Sequence, residues 1–342
     1  MGIPSSDYPE TVLQASEPPD DDLRDIRSRP RPQRVLRHVL LLALTVVTTT
    51  IAGSTYYASF VSDLQPGPLD LTSLELYANG LWYSLSVLAI LGAHEFGHYY
   101  ACRHYGVDAS LPYFLPAPLP LTGTFGAFIR IRGIIPGKRE LFDIGIAGPI
   151  AGFVVAVPVL FIGMALSRLV PDPVSEAGFI EFGEPLLFQW ATWLFWGTPA
   201  DGFIVNMHPM VFAAWFGLLA TALNLFPIGQ LDGGHISYAV LGRRSTLVTL
   251  GTVGVLVGLT FVSSSWVVWT VLTIGMLFGF GMRHPRTYDE DAPLDRWRLW
   301  LAGFALVMFI LSFTPAPVEI SDAVSSPAPP ATGEPVGDTI GI

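Results

Sequence analysis

The sequence predicts an all-α polytopic membrane protein with about seven transmembrane helices. Three observations carry this. Of the 342 residues, 51% are hydrophobic and only 13% charged, where soluble domains carry about 25% charged residues. Mean hydropathy is +0.50, and several apolar runs reach the ~20 residues that cross a bilayer. Finally, all but one of the 18 Lys and Arg residues fall on the same side of the map those runs draw. The composition also excludes a disordered chain, which needs low hydrophobicity. A net charge of −10 leaves no basic face for nucleic acid. The single cysteine, Cys102, permits neither an intrachain disulfide framework nor a cysteine-rich zinc site.

Taken in order, residues 1–35 are expected to be a disordered cytoplasmic tail. Positions 1–22 combine Pro with acidic residues and hold no Lys or Arg. No cleavable signal peptide is expected, because the first apolar run comes late and is too long for an h-region. Transmembrane helices are expected near 36–60, 79–101, 143–170, 209–229, 246–263, 266–282 and 298–315, so that 36–315 form one membrane-embedded domain. At Ser263-Ser264-Ser265 the alternative is one long kinked helix over 246–282. Residues 316–342, rich in Pro and Ala with acidic and no basic residues, are expected to be a disordered acidic tail.

Charge placement orients the map. Arg24, Arg27, Arg29, Arg31, Arg34 and Arg37 flank the start of the first run. Arg103, Arg130, Arg132, Lys138 and Arg139 lie between the second and third, and Arg243 and Arg244 follow the fourth. Arg283, Arg286, Arg296 and Arg298 lie between the sixth and seventh, and only Arg168 faces the other way. The positive-inside rule then gives a multi-pass protein of the cell membrane with a cytoplasmic N-terminus and an external C-terminus.

Residues 122–132, Thr-Gly-Thr-Phe-Gly-Ala-Phe-Ile-Arg-Ile-Arg, alternate in part and contain β-formers. Pro112, Pro116, Pro118 and Pro120 forbid a continuous helix before them. The segment forms either a re-entrant β-hairpin or a plain cytoplasmic loop on the membrane surface. Gly145, Gly148 and Gly152 in the third run permit close helix packing. Trp190, Trp193 and Trp196 mark an external interfacial helix.

Charged side chains within a span are costly and so mark function. The second run ends in Ala93-His94-Glu95-Phe96-Gly97-His98-Tyr99, an H-E-x-x-H pattern. Residues four apart share a helix face, so His94 and His98 can address one ion. Neutral imidazoles suit Zn²⁺, and Glu95 stands ready to take a proton from water that a metal activates. A His/Glu proton relay or a buried structural pair are the plainer alternatives. A catalytic zinc usually has three protein ligands. Asp232, in Asn224-Leu225-Phe226-Pro227-Ile228-Gly229-Gln230-Leu231-Asp232-Gly233, fits by depth at the cytoplasmic end of the fourth run. The plainer alternative is a polar residue at a helix C-terminus at the interface.

Together with Gly123-Thr-Phe-Gly-Ala-Phe-Ile-Arg-Ile-Arg-Gly133 and Leu141-Phe-Asp-Ile-Gly-Ile-Ala-Gly-Pro-Ile-Ala-Gly152, these motifs resemble the site-2 protease family of M50-type intramembrane zinc metalloproteases. The match covers about residues 75–285 and looks like the branch that includes the plastid EGY-type proteases, without a PDZ domain between the motifs. The resemblance implies one Zn²⁺ held by His94, His98 and Asp232, with Glu95 as acid/base. It implies that Asn224 polarises the scissile carbonyl or holds substrate. The implied reaction is hydrolysis of a peptide bond in or near the transmembrane segment of a membrane-anchored protein, with the bilayer as the other partner and no nucleic acid. An edge strand of the hairpin would pair with unwound substrate. Oligomeric state is left open. The competing functions are a catalytically inactive membrane scaffold and a proton-coupled transporter. No internal repeat of the transporter kind is present.

Overall fold

Long runs without charge make the helices. Helix α1 (Val35–Val61) spans 27 residues and α2 (Leu74–His104) spans 31. The start of α2 is capped by Ser73, whose hydroxyl accepts the Leu76 N–H, with Glu75 in the first turn and Arg103 and His104 in the last. The 29-residue helix α3 (Lys138–Leu166) absorbs Pro149 and Pro158. The computed structural model describes residues 35–65, 73–172, 179–280 and 293–321. The expectations for residues 1–34 and 322–342, and for Arg283 and Arg286, lie outside the described residues.

Among the described residues, four stretches are long and apolar enough to cross a membrane: α1, α2, α3 and Asp232–Leu259. The fourth is bent. It consists of α6 (Asp232–Leu241), one tight turn Gly242–Arg244 and α7 (Ser245–Leu259), and Gly242 turns the chain at φ 57°. The other expected spans are shorter helices: α5 (Pro209–Leu225, 17 residues), α8 (Ser265–Phe280, 16) and α9 (Arg296–Ser312, 17). At 1.5 Å per residue these reach about 25 Å, against a hydrocarbon layer of about 30 Å. Separate α7 and α8 replace the single kinked helix weighed for 246–282, with the break at 260–264.

The fold is mainly helical rather than all-α. Strands β1 (Tyr113–Pro116) and β2 (Thr124–Phe128) pair antiparallel, Tyr113 opposite Phe128, so the 122–132 segment does contain a hairpin strand. Two more two-stranded sheets join β3 (Arg168–Pro171) to β5 (Phe203–Asn206) and β4 (Phe179–Phe182) to β6 (Val318–Ser321). Strand β6 lies at the start of the segment expected to be a tail. Its partner sits far back in the chain, and no local pattern announces such a pairing. Helix α4 (Leu186–Trp196) leaves Trp190 and Trp193 exposed.

Side-chain contacts define two ends of the bundle. At one, His38 of α1 meets the Pro112 carbonyl at 3.1 Å, and Arg298 of α9 grips Asp143 of α3 through two hydrogen bonds of 2.9 and 2.6 Å. Tyr105, just past α2, donates to the same carboxylate. At the other end, Arg168 and Asn206 bind the Phe60 carbonyl at the close of α1, and Arg168 pairs with Asp63 at 2.6 Å. Trp215 of α5 donates to Gly183 O and Trp266 of α8 to Pro315 O, so 183 and 315–321 belong to this second end. Between the ends lies a core of Phe142, Leu160, Met164, Trp215 and Leu218, nearly all of it inaccessible.

Candidate metal centre

Helix α2 carries His94, Glu95 and His98 about two-thirds of the way along its length, and all three are buried at 5–7% exposure. The four-residue spacing brings the two imidazoles to one side, Nε2 to Nε2 at 3.2 Å. Their face meets α3 because glycines let the backbones close. A Cβ on Gly97 would stand 2.5 Å from the Ala147 carbonyl, and one on Gly148 only 2.1 Å from His98 Nε2. A Cβ on Gly152 would stand 3.1 Å from His94 Cβ. The close packing expected of Gly148 and Gly152 is therefore packing onto the imidazoles themselves.

Asp232 arrives differently from the sequence expectation. It does not end the fourth span but opens a new helix, α6. The α5 helix stops at Leu225, Phe226 and Pro227 turn the chain out, and Gly229 adopts φ 48°. A tight return then delivers Asp232, and Gly233 makes it possible: a Cβ there would lie 2.0 Å from the Leu225 carbonyl. Asp232 Oδ2 sits 3.2 Å from His94 Nε2 and 3.3 Å from His98 Nε2.

The three ligand atoms thus form a near-equilateral triangle. Ligands at about 2.0–2.1 Å around a tetrahedral ion are about 3.3–3.4 Å apart, which matches the observed 3.2–3.3 Å edges. Proton chemistry agrees. His98 Nδ1 lies 2.7 Å from the Ile144 carbonyl, so that nitrogen carries the hydrogen and Nε2 presents a lone pair. Two imidazole nitrogens and a carboxylate oxygen converge at one point, where a cation would join them. Among the described residues this is the one group of three or more His, Cys, Asp or Glu side chains arranged to hold a metal. The donor set fits a zinc-type ion.

Two more predicted residues border the triangle. Glu95 adjoins it on α2, and Ile129, just past β2, lies near its carboxylate. Asn224 Nδ2 lies 3.3 Å from His94 Nε2. All five residues singled out from the sequence are brought together. Sequence reasoning missed the Ile144 carbonyl, Ile129 and the contact of Gly148 with His98. Only the glycine had a signal, its four-residue spacing from Gly152. Other described histidines stand elsewhere: His38 at Pro112, His104 against Tyr105, and His208 between Phe60 and Trp82. The side chain of His235, on α6, borders Gly145.

Comparison with known proteins accords with this geometry. The family model described as Peptidase family M50 matches residues 82–264, which hold every residue of the triangle. The chain is 29% identical over 332 residues to the probable zinc metalloprotease EGY1, chloroplastic, of Arabidopsis thaliana, covering 88% of this chain and 57% of that protein. It is 34% identical over 206 residues to the probable zinc metalloprotease EGY2, chloroplastic, of Oryza sativa subsp. indica, covering 57% and 36%. With EGY2 of Arabidopsis thaliana the figures are 32% over 251 residues, 72% and 43%. The chain spans about half the length of these relatives or less. No solved structure matches it at a significant level. On the family match, the chain belongs to peptidase family M50, the site-2 protease family.

Proposed function

We propose that the protein is an intramembrane zinc endopeptidase that cleaves membrane-anchored proteins near the cytoplasmic side of the bilayer. The observation that carries this is the triangle of His94, His98 and Asp232, with edges of 3.2–3.3 Å and Glu95 beside it. Its relatives named above are zinc metalloproteases by name, and zinc is the ion we assign here. When bound, zinc supplies Lewis acidity, drawing the pKa of water toward ~7 and polarising a carbonyl. The chain's own groups do the rest. His94 and His98 give Nε2 lone pairs, and Ile144 O holds His98 in that tautomer. Glu95 accepts the proton of the attacking water and returns it to the departing amine nitrogen. Asn224, 3.3 Å from His94, would donate its amide N–H to the developing oxyanion.

Hydrolysis needs water, and irregular backbone at membrane depth must be enclosed by protein. The hairpin supports an answer to both. Its base lies at the His38 end of the bundle and its tip bonds the middle of α1, so we read it as re-entrant. The free edge of β2 runs toward Glu95 and would take an unwound substrate segment as a further strand. The two ends of the bundle also support the topology. Following the chain, we read α1, α2, α3, α5 with α6, α7, α8 and α9 as seven crossings between those ends, with Arg168 among the described residues at the end that holds 315–321. This favours a cytoplasmic N-terminus and an external C-terminus.

The test is Glu95→Gln in the full chain, assayed in liposomes with single-span reporter peptides. The reading predicts zinc retained at wild-type stoichiometry and cleavage lost. Unchanged cleavage, or zinc lost with the proton acceptor, contradicts it.

A further inference from the structure

Hydroxyls from two helices hold the tip of the β1–β2 hairpin. Thr48 Oγ1 donates to Gly123 O at 2.6 Å, Tyr56 OH to Leu121 O at 2.5 Å, and Tyr83 OH to Thr122 O at 2.9 Å. Three successive carbonyls thereby bond to α1 and α2, and Gly123 O also accepts the Ala117 N–H at 3.2 Å. Gly123 adopts φ 67°, and a Cβ on it would lie 2.6 Å from Thr48 O, so the tip rests directly on the α1 backbone. Thr48 is halfway along α1, at a depth where a bare carbonyl is strongly disfavoured. Tyr83 is fully buried, and Tyr56 stacks on Phe212 with centroids 4.4 Å apart, so neither hydroxyl swings freely.

The far end of the same strand comes near the metal centre, with Ile129 beside Glu95. Between these points β2 lies against α2. On α2, Tyr83 and Glu95 stand about 18 Å apart along the axis. On the strand side, Thr122 and Ile129 are about 23 Å apart when extended. The strand therefore runs beside the helix that carries Glu95, pinned at its tip, with no strand on its outer edge among the described residues.

We infer that Thr48, Tyr56 and Tyr83 are positioning residues that set the register in which substrate is cut. This rests on the peptidase reading above. A substrate strand added to β2 takes its register from β2, and β2 takes its height along α2 from the three hydroxyls. One-residue slips turn every side chain to the wrong face, so a loosened strand shifts in steps of two. Removing a hydroxyl should create a second cut two residues from the first and raise KM about two- to tenfold, the range for one net hydrogen bond. The turnover number should stay near wild type, because Glu95 and the metal ligands are untouched.

The experiment uses the full chain in proteoliposomes with a panel of synthetic single-span peptides. The peptide that wild type cuts best is the probe. Product termini are read by mass spectrometry for wild type, T48V, T48S, Y56F and Y83F, with hydrogen exchange followed at 117–128. The inference expects added termini two residues away, raised KM and faster exchange at the tip in T48V, Y56F and Y83F. T48S, which keeps the hydroxyl, should behave as wild type. A single unshifted cut at unaltered KM in Y56F, Y83F and T48V overturns the inference while leaving the peptidase reading intact. Equal cleavage by wild type and E95Q overturns the peptidase reading, and the register inference falls with it.

Discussion

Gly148→Ala should disable the metal centre without touching a ligand. The added Cβ would stand 2.1 Å from His98 Nε2, 2.4 Å from Cδ2 and 2.5 Å from Cε1. Ordinary carbon contacts lie at about 3.5–4.0 Å, so the ring must retreat by roughly 1.4 Å from the 2.1 Å contact, or α3 must back away. Metal sites tolerate about 0.2 Å. His98 cannot retreat by simple rotation, because its Nδ1 is tied to Ile144 O at 2.7 Å. The expected result is a zinc affinity reduced by at least about 100-fold, the upper range for losing a supporting contact. A stability loss of about 1–3 kcal/mol from overpacking should accompany it. Gly152→Ala is the control: its nearest contact, His94 Cβ at 3.1 Å, yields by a few tenths of an ångström. Competition with a zinc chelator, with melting followed in parallel, should rank wild type, G152A and G148A in falling affinity. G148A that holds zinc as tightly as G152A would refute the reasoning.

Further outcomes follow from other contacts. Asn224→Ala should keep zinc and lower the turnover number about 10²- to 10³-fold, as for loss of one oxyanion donor, whereas an unchanged rate in a peptide cleavage assay removes Asn224 from the reaction. Arg298→Met should destabilise the fold by about 3 kcal/mol, because it strands Asp143 at 13% exposure. Adding Asp143→Asn should recover much of that loss in thermal unfolding. Burial pushes the His208 imidazole down to about 4. The folded chain therefore binds fewer protons there than the unfolded chain between about pH 4 and the ordinary value near 6.5. Stability should fall as pH drops through that window, and His208→Gln should flatten the dependence of melting temperature on pH.

The site was legible where chemistry and local geometry coincide. His94, Glu95 and His98 share one turn of one helix, so their spacing alone implied a common face, and the buried α2 face carries all three. Asp232 was legible by its carboxylate in an apolar run and by family resemblance, but not its route. Phe226-Pro227 and Gly229 end one helix and restart another, so the aspartate opens α6 instead of closing a span. The hairpin strand was legible in the alternation after four prolines. What holds it was not, since the hydroxyl bonds of Thr48, Tyr56 and Tyr83 are 39–75 residues distant in sequence and depend on packing. The β3–β5 and β4–β6 pairs escaped for the same reason. Four-residue strands carry too little periodicity, and β6 pairs with a strand far back in the chain.

The account rests on two imidazoles and one carboxylate meeting at a single zinc ion. X-ray absorption at the zinc edge of the purified full chain, beside His94→Ala and Asp232→Ala, tests this most directly. It should give one zinc per chain with nitrogen and oxygen ligands at about 2.0–2.1 Å, and both variants should lose the metal. A wild-type chain that binds no zinc, or variants that keep it in the same ligand shell, would contradict the account.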